Sequence, residues 1–308
     1  MPSKGTLDFG FGGEAPNKSE NIGEFKWTAD ESTACSSIAI GERCTILRCE
    51  PIDENNVVLA ESPTFLWTCL AKGRFNSTNY EETKEATFHR WNFRFDAKHK
   101  EVHVHQSTAS WEKARCAVRG DDGKTYGEIT FDIIESFVAD LSKEGNPLIE
   151  DPSDAAKVKV GDGEIWVSKR ALGSRSPFFN NLFTKDFKEK TENLYELNDL
   201  DIDEFMHFLA LIQDIPMPID KNSIGYLLDQ GDLFLCKSVL HNCQEFLQHA
   251  DVKDVPLLEK FRLASRFKLN QLLMDTVDEM SLEDLKPLPF SEISQFALEL
   301  IVQKMNTY

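Results

Sequence analysis

The sequence lacks the features that mark a secreted or membrane protein. No stretch approaches the roughly 20 consecutive apolar residues that a membrane-spanning helix needs. The segment from Met1 to Gly13 is rich in glycine and poor in apolar residues, unlike a signal peptide. The seven cysteines are odd in number and have no regular spacing, which disfavours a disulfide framework. We therefore expect a protein of the cytosol or the nucleus, with no membrane partner.

Positive charge is also scarce. The chain has 34 lysines and arginines against 52 aspartates and glutamates, a formal net charge of −18. Proteins that bind nucleic acid depend on neutralising phosphates, so a field of this sign repels such a partner. The acidity is spread over both halves of the chain, which is typical of a soluble surface. We expect no nucleic-acid partner.

Signatures of catalysis and of metal binding are missing as well. No Ser-His-Asp set, catalytic-cysteine pattern or HExxH motif occurs. The glycine-rich Gly10–Gly13 follows no buried strand and opens no helix, so it makes a poor phosphate loop. His103 and His105 alternate on one strand and share a face, but no cysteine spacing supports a closed zinc site around them. The sequence predicts a protein that is not an enzyme and that holds no metal or cofactor.

What the chain does have is length and apolar content for two domains, with 308 residues and 41% hydrophobic residues. From Phe25 to Ser136 short apolar and polar runs alternate, and clusters of Gly, Asn and Asp separate them. This pattern predicts an antiparallel sandwich over residues 25–142, preceded by a flexible N-terminus over residues 1–24. The candidate strands are 37–40, 44–49, 64–71, 87–95, 102–106, 114–118 and 126–134.

The second half follows a segment, 143–152, that glycine and proline interrupt and that we interpret as a linker. Two β-type runs, 158–160 and 164–167, then flank Gly161-Asp162-Gly163, a strong hairpin signal. Helical spacing follows. Pro177 can open a helix as its first residue, and Asp201-Ile-Asp-Glu204 is typical of a helix N-cap followed by an acidic first turn. The last helical region runs from about residue 257, with a break at 285–289.

This order of elements resembles the BTB/POZ domain over residues 153–250. The motifs that carry the resemblance are Val167-Ser-Lys-Arg-Ala-Leu172, Ser176-Pro-Phe-Phe179, Leu194-Tyr-Glu-Leu-Asn-Asp199 and Leu227-Leu-Asp-Gln-Gly-Asp232. Ser168 departs from the family, which usually opens its first helix with a histidine. The resemblance implies a homodimer, with Ala171, Leu172, Phe178 and Phe179 as candidate interface residues.

The β-rich half resembles a MATH domain, the sandwich that precedes BTB in a family of adaptor proteins. The motifs there are weaker: Phe65-Leu-Trp67 and Asp122-Gly-Lys-Thr-Tyr-Gly-Glu-Ile-Thr-Phe131. Residues 251–308 resemble the helical, BACK-like extension of many such adaptors. The expected fold class is therefore α+β in two domains, a MATH-like antiparallel β-sandwich followed by an α/β BTB domain with a C-terminal helical extension.

Phe187-Lys188-Glu189 resembles the hydrophobic-any-Glu motif with which BTB adaptors contact cullin-3. Phe187 would be an exposed aromatic anchor and Glu189 its polar companion; alternatively, Phe187 folds back onto its own core. The resemblance implies an adaptor that presents an unidentified client protein, held by the N-terminal domain, to a cullin-3 ubiquitin ligase. The alternative is a BTB scaffold that dimerises without a cullin.

Overall fold

The computed structural model describes residues 4–11, 18–32, 44–59, 63–77, 87–96, 101–105, 118–119, 125–184, 193–285 and 293–307. The chain forms two compact units, Met1–Asp140 and Leu141–Tyr308. The division falls close to the predicted end of the sandwich at residue 142. Each unit is treated by itself below.

The described part of the first unit consists of antiparallel β-strands. One sheet has the strand order β1-β9-β5-β6, with β8 also paired to β9, and the other has the order β2-β3-β4-β7. The strands are β1 Lys4–Phe11, β2 Lys18–Ile22, β3 Phe25–Ser32, β4 Cys44–Pro51, β5 Phe65–Ser77, β6 Thr87–Asp96, β7 Glu101–His105, β8 Val118–Arg119 and β9 Thr125–Asp140.

Apolar side chains of both sheets meet in one core. Trp27 of β3 stacks on Phe131 of β9 with ring centroids 4.2 Å apart, and Phe25 of β3 lies 5.8 Å from Trp67 of β5. Phe25, Trp27 and Phe131 are fully buried. Such aromatic rings bury large apolar areas and stabilise the pairing of the sheets. The predicted pattern of alternating strands is confirmed, and its assignment to the MATH family remains a proposal.

The prediction of a flexible N-terminus over residues 1–24 is wrong for much of that segment. Strand β1 pairs with β9 from Lys4↔Asp132 to Phe11↔Thr125, and β2 pairs with β3. Backbone hydrogen bonds to an existing strand do not require a strongly apolar sequence, and one or two buried side chains suffice to fix the register. Leu7 and Ile22, exposed by only 2% and 1%, have that function here. The candidate strand 37–40 lies outside the described residues, as do residues 114–117 of the candidate strand 114–118.

The second unit begins with a small sheet and continues with helices. The sheet has the strand order β11-β10-β12, with β10 antiparallel to β11 and parallel to β12. Its strands are β10 Ala155–Val160, β11 Gly163–Ser168 and β12 Leu194–Leu197. The helices are α1 Lys169–Arg175, α2 Pro177–Thr184, α3 Ile202–Ile212, α4 Ile224–Leu233, α5 Lys237–His249, α6 Leu257–Arg266, α7 Asn270–Glu279, α8 Leu282–Leu285 and α9 Gln295–Thr307.

The predicted hairpin is confirmed, with Val160 opposite Gly163. Gly161 has a φ of +54°, a left-handed conformation that glycine adopts without cost. The N-cap at Asp201 is also confirmed, because its carboxylate accepts a hydrogen bond of 3.0 Å from the backbone N–H of Glu204. Helix α3 then buries Phe205 and Phe208 completely.

The segment interpreted as a linker packs against strand β11. The side chain of Asn146 is 4% exposed and donates hydrogen bonds to the carbonyls of Lys143 (2.9 Å) and Trp166 (3.0 Å). The backbone N–H of Trp166 donates to the carbonyl of Leu141 at 2.7 Å. These bonds occupy polar groups on the outer edge of β11, which protects that edge from pairing with other strands.

Lys304 connects helix α9 to the end of helix α7. The ammonium of Lys304 on α9 donates hydrogen bonds to the carbonyls of Val277 (2.7 Å), Asp278 (2.8 Å) and Met280 (2.6 Å) at the end of α7. The last carbonyls of a helix have no partner within the helix and carry partial negative charge. A cation at this place therefore satisfies them and stabilises the contact between α7 and α9.

Candidate functional site

Two serines fix the positions of helices α1 and α2. Ser168 caps α1 by accepting a hydrogen bond of 3.0 Å from the N–H of Ala171, and its hydroxyl also donates to the carboxylate of Asp154. This local role explains how the helix begins without the family's histidine. Ser176 caps α2 by accepting from the N–H of Phe179 at 3.2 Å, and donates to the carbonyl of Phe234 at 2.5 Å.

The predicted dimer-interface residues divide into two kinds. Leu172 and Phe179 are fully buried inside their own unit, so they present no surface to a second chain. The prediction of an interface role for these two residues needs correction, because their side chains build the core. Ala171 and Phe178 are half-buried and keep an accessible face. Helical spacing alone does not distinguish the side of a helix that faces its own core from the side that faces a partner.

Phe179 lies in a cluster of aromatic rings. Its ring stacks on Phe234 at a centroid distance of 4.8 Å and lies 5.9 Å from Phe183. Phe178 contacts Phe234 at 5.1 Å, edge to face. This packing anchors α2 to the turn between α4 and α5, and it places the accessible face of Phe178 beside that turn.

The proposed cullin contacts, Phe187 and Glu189, lie outside the described residues. The described chain reaches Thr184 at the end of α2 and resumes at Asn193.

Two leucines are exposed where α4 ends and the turn to α5 begins. Leu233 is 53% exposed and Leu235 is 54% exposed, on either side of the buried Phe234. Leu235 has a φ of +54°. This left-handed conformation costs a residue other than glycine about 1 to 2 kcal/mol. Sequence analysis missed the pair; Leu233-Phe-Leu235 reads as a continuous apolar run, and only the structure shows that its two ends face solvent.

An apolar groove lies elsewhere on the same unit, between the end of α3, the loop after it and α5. Its volume is about 560 Å³. The floor includes Leu211, Ile215 and Met217, which are buried, and the half-buried Phe246. The loop after α3 contributes Pro216 and Ile219 to the lining as well.

Acidic groups stand at the rim of the groove. Asp214 and Glu245 both line it, together with His249. Asp214 is paired with Arg175 of α1, whose hydrogen bond holds the pKa of this carboxyl below its ordinary value. Both partners are substantially exposed, so solvent screens this pair and it adds little to stability.

Potential metal ligands do not cluster in the described residues. Within them no group of three or more His, Cys, Asp or Glu side chains is placed to hold a metal ion. His103 and His105 both fall on strand β7 as the alternation predicted.

Of the helices that the structure describes, none is long and apolar enough to cross a membrane.

Comparison with known proteins identifies one domain within the second unit. Residues 151–251 match the family model of the BTB/POZ domain. BTB and MATH domain-containing protein 36 of Caenorhabditis elegans is 25% identical over 256 residues, 82% of this chain and 75% of that protein. BTB and MATH domain-containing protein 38 of the same organism is 28% identical over 43% of this chain, which spans only 34% of that protein.

Other matches cover a smaller part of the chain. Kelch-like protein 3 of Danio rerio is 28% identical over 29% of this chain and 15% of its own length. Among solved structures, the BTB domain of zebrafish PATZ1 aligns with 31% of this chain and 75% of its own, at 18% identity and a TM-score of 0.27. Residues 151–251 of this chain thus form a BTB/POZ domain, and over most of its length the chain is similar to BTB and MATH domain-containing proteins.

Proposed function

We propose that this protein is a non-catalytic adaptor, which homodimerises through its BTB domain and presents client proteins to a cullin-3 ubiquitin ligase. The observation that carries the proposal is the exposed apolar turn, with Leu233 and Leu235, on a domain that matches the BTB family. Both leucines leave more than half of their surface exposed, and Leu235 also has a strained backbone, so a binding role accounts for them better than a structural one. We expect the adaptor to act in the cytosol or the nucleus.

The dimer interface includes Ala171 and Phe178. Both lie on the helices that face the symmetry mate in BTB-like folds, and both retain accessible surface. A twofold interface uses the same patch twice, so even a modest apolar face contributes two equal areas. Leu172 and Phe179 contribute indirectly, because their buried side chains hold these helices against the core.

The cullin contact combines the segment with Phe187 and Glu189 and the turn with Leu235. Helix α2 connects the two, because Ser176, which caps the helix, donates a hydrogen bond to the carbonyl of Phe234, and because the last residue of the helix precedes the segment. An aromatic anchor with a nearby carboxylate provides apolar burial and a hydrogen bond that fixes orientation. The neighbouring leucine extends the apolar surface.

Binding to the cullin-3 N-terminal domain, measured by isothermal titration calorimetry with the full chain, tests this contact. Phe187→Ala removes an anchor and is expected to cost on the order of 2 kcal/mol, roughly thirtyfold in affinity. Glu189→Ala is expected to cost less. The matched control is Phe296→Ala, since Phe296 is an aromatic residue 38% exposed on α9, away from the proposed surface in sequence.

Leu235→Asn separates binding from folding. Asparagine adopts the left-handed conformation more easily than leucine, so the variant is expected to fold at least as stably as the parent chain. It is also expected to bind cullin-3 several-fold more weakly. If Phe187→Ala and Leu235→Asn both fold and bind as the parent does, the groove around Phe246 becomes the place to test. If the parent itself does not bind cullin-3, the protein is a BTB scaffold without a cullin partner.

The first unit is proposed to hold the client. Its two antiparallel sheets are compatible with a MATH domain, and the similarity to BTB and MATH domain-containing proteins extends over 82% of the chain. Proximity labelling with the chain fused to a biotin ligase, with and without residues 1–140, identifies proteins whose labelling depends on this unit. Labelling that stays the same without it would exclude this role.

A further inference from the structure

The apolar groove beside Phe246 has two walls. One wall is the second half of α5, from which Asn242, Glu245, Phe246 and His249 line the groove. These residues recur at spacings of three and four over two turns, so they form one stripe of the helix. The other wall is the loop that follows α3. The volume of about 560 Å³ lies within the roughly 300 to 1,000 Å³ of typical binding sites.

The loop after α3 holds its shape through contacts within the chain. The backbone N–H of Ile215 donates a hydrogen bond of 2.9 Å to the carbonyl of Ala210. Ile215 and Met217 are buried, and Pro216 and Pro218 restrict the backbone around them. The groove is therefore formed before anything binds, and a partner does not have to order it, which favours affinity.

The rim of the groove offers hydrogen-bond acceptors. Asp214 and Glu245 contribute carboxylates. The ring of His249 is 2.8 Å from the carbonyl of Glu245 through Nδ1. A carbonyl only accepts, so Nδ1 carries the proton, and Nε2 of the neutral ring is an acceptor as well. Neither lysine nor arginine occurs among the described residues that line the groove.

Two cations lie near this rim without lining it, and acceptors of this chain engage both. Arg175 pairs with Asp214. Lys260 is 5% exposed, and its ammonium donates to the carbonyl of Ala250 at 2.7 Å. The exposed carboxylate of Glu245 is therefore left for a partner, in a chain whose formal net charge of −18 attracts cations.

We propose that the groove binds an amphipathic helix of a partner protein, with two apolar side chains one turn apart and a lysine or arginine beside them. The apolar side chains lie between the loop and Phe246, and the cation bonds to Glu245. A helix fits because the stripe of α5 spans two turns, and apolar residues one turn apart on two packed helices meet face to face.

This site is separate from the proposed cullin contact. Leu235 precedes the first residue of α5, whereas the groove follows the second half of that helix, which is about 20 Å long over its 13 residues. The inference therefore does not rest on the adaptor function. An excess of the cullin-3 N-terminal domain should leave the bound helix in place, and displacement would show that the groove belongs to the cullin.

The test selects displayed random peptides of 14 residues on the full chain, after depletion on the Ile219→Asp variant. Ile219 is half-buried and lines the groove. The variant keeps every acidic group and adds one, so depletion removes peptides that charge alone attracts. The expected peptides have two apolar residues three or four apart and at least one lysine or arginine. Recovery of no peptides, or of peptides without a basic residue, would overturn the proposal.

Fluorescence anisotropy with a recovered peptide then measures the role of Glu245. Glu245→Lys should weaken binding by roughly tenfold, because it replaces an attraction with a repulsion. The matched control is Glu144→Lys, the same charge change at an exposed residue before β10, and it should alter binding less than about twofold. Equal losses in the two variants would show attraction to net charge alone and contradict the proposal.

Two measurements show whether the helix occupies the groove. Hydrogen exchange of the parent chain needs no variant to fold, and the peptide should slow exchange in residues 242–249 and in the loop after α3. Slowing confined to other elements would refute the location. Light scattering of Glu245→Lys should give the same mass as the parent chain. A lower mass would mean that a second copy covers the groove, and the proposed partner helix would then be wrong.

Discussion

Replacing Ser176 with alanine should destabilise the second unit strongly for the loss of one hydroxyl. Ser176 is fully buried, caps α2 and donates to the carbonyl of Phe234 in the turn between α4 and α5. Loss of an N-cap serine costs about 1 kcal/mol. A buried carbonyl left without its donor costs a further 1 to 3 kcal/mol, roughly. The expected loss is therefore about 2 to 4 kcal/mol in the free energy of unfolding.

Circular dichroism of the helical signal, followed in urea and on heating, measures this loss, because the described helices all belong to the second unit. For a unit of this size, a midpoint decrease on the order of 10 °C is expected. The matched control is Ser174→Ala, which removes an exposed hydroxyl bonded at 2.8 Å to the carbonyl of Ala171 and should cost at most about 0.5 kcal/mol. Equal losses in the two variants at the same protein concentration would refute the role assigned to Ser176.

Three further perturbations follow from the structure. Lys304→Met removes three bonds to the end of α7 and should cost about 2 kcal/mol, seen as faster hydrogen exchange in α9; unchanged exchange would contradict it. Because pairing with Arg175 lowers the pKa of Asp214, any stability from this pair is present above the unfolded value of about 3.9 and is lost as pH falls through the folded pKa. Urea titrations of Asp214→Asn and the parent should therefore differ by less than about 1 kcal/mol at neutral pH and converge near pH 2, where a persistent gap would argue against the pairing. Phe179→Ala should cost about 3 to 5 kcal/mol in urea unfolding, whereas Phe178→Ala should mainly weaken the dimer in light scattering; the reverse pattern would exchange their roles.

Local signals in the sequence predicted the second unit well. The hairpin around Gly161 and the cap at Asp201 depend on backbone conformation and short-range hydrogen bonds, which a few neighbouring residues determine. The N-terminal strands were missed for the opposite reason. Strand β1 forms because it can pair with the edge of β9, more than a hundred residues later in the chain. Residues 4–11 alone carry no signal that predicts this pairing.

The candidate site shows the same limit. The sequence identifies Leu172 and Phe179 as apolar residues on helices. Whether their side chains face the core or a partner depends on contacts with residues distant in sequence, such as Phe234 for Phe179. Conversely, Leu233 and Leu235 are of a residue type that is usually buried, and only the local backbone geometry exposes them. Local pattern predicts that a side chain is apolar; the tertiary fold decides whether it serves the core or a partner.

Light scattering of the full chain, alone and with the cullin-3 N-terminal domain, tests the adaptor claim most directly. The account predicts a particle of twice the chain mass alone, and a complex of two chains with two cullin domains in the mixture. In that complex Phe187→Ala should leave the dimer intact and abolish the cullin increment at micromolar concentrations. A monomer at tens of micromolar, or a dimer whose mass cullin-3 does not change, would contradict the account.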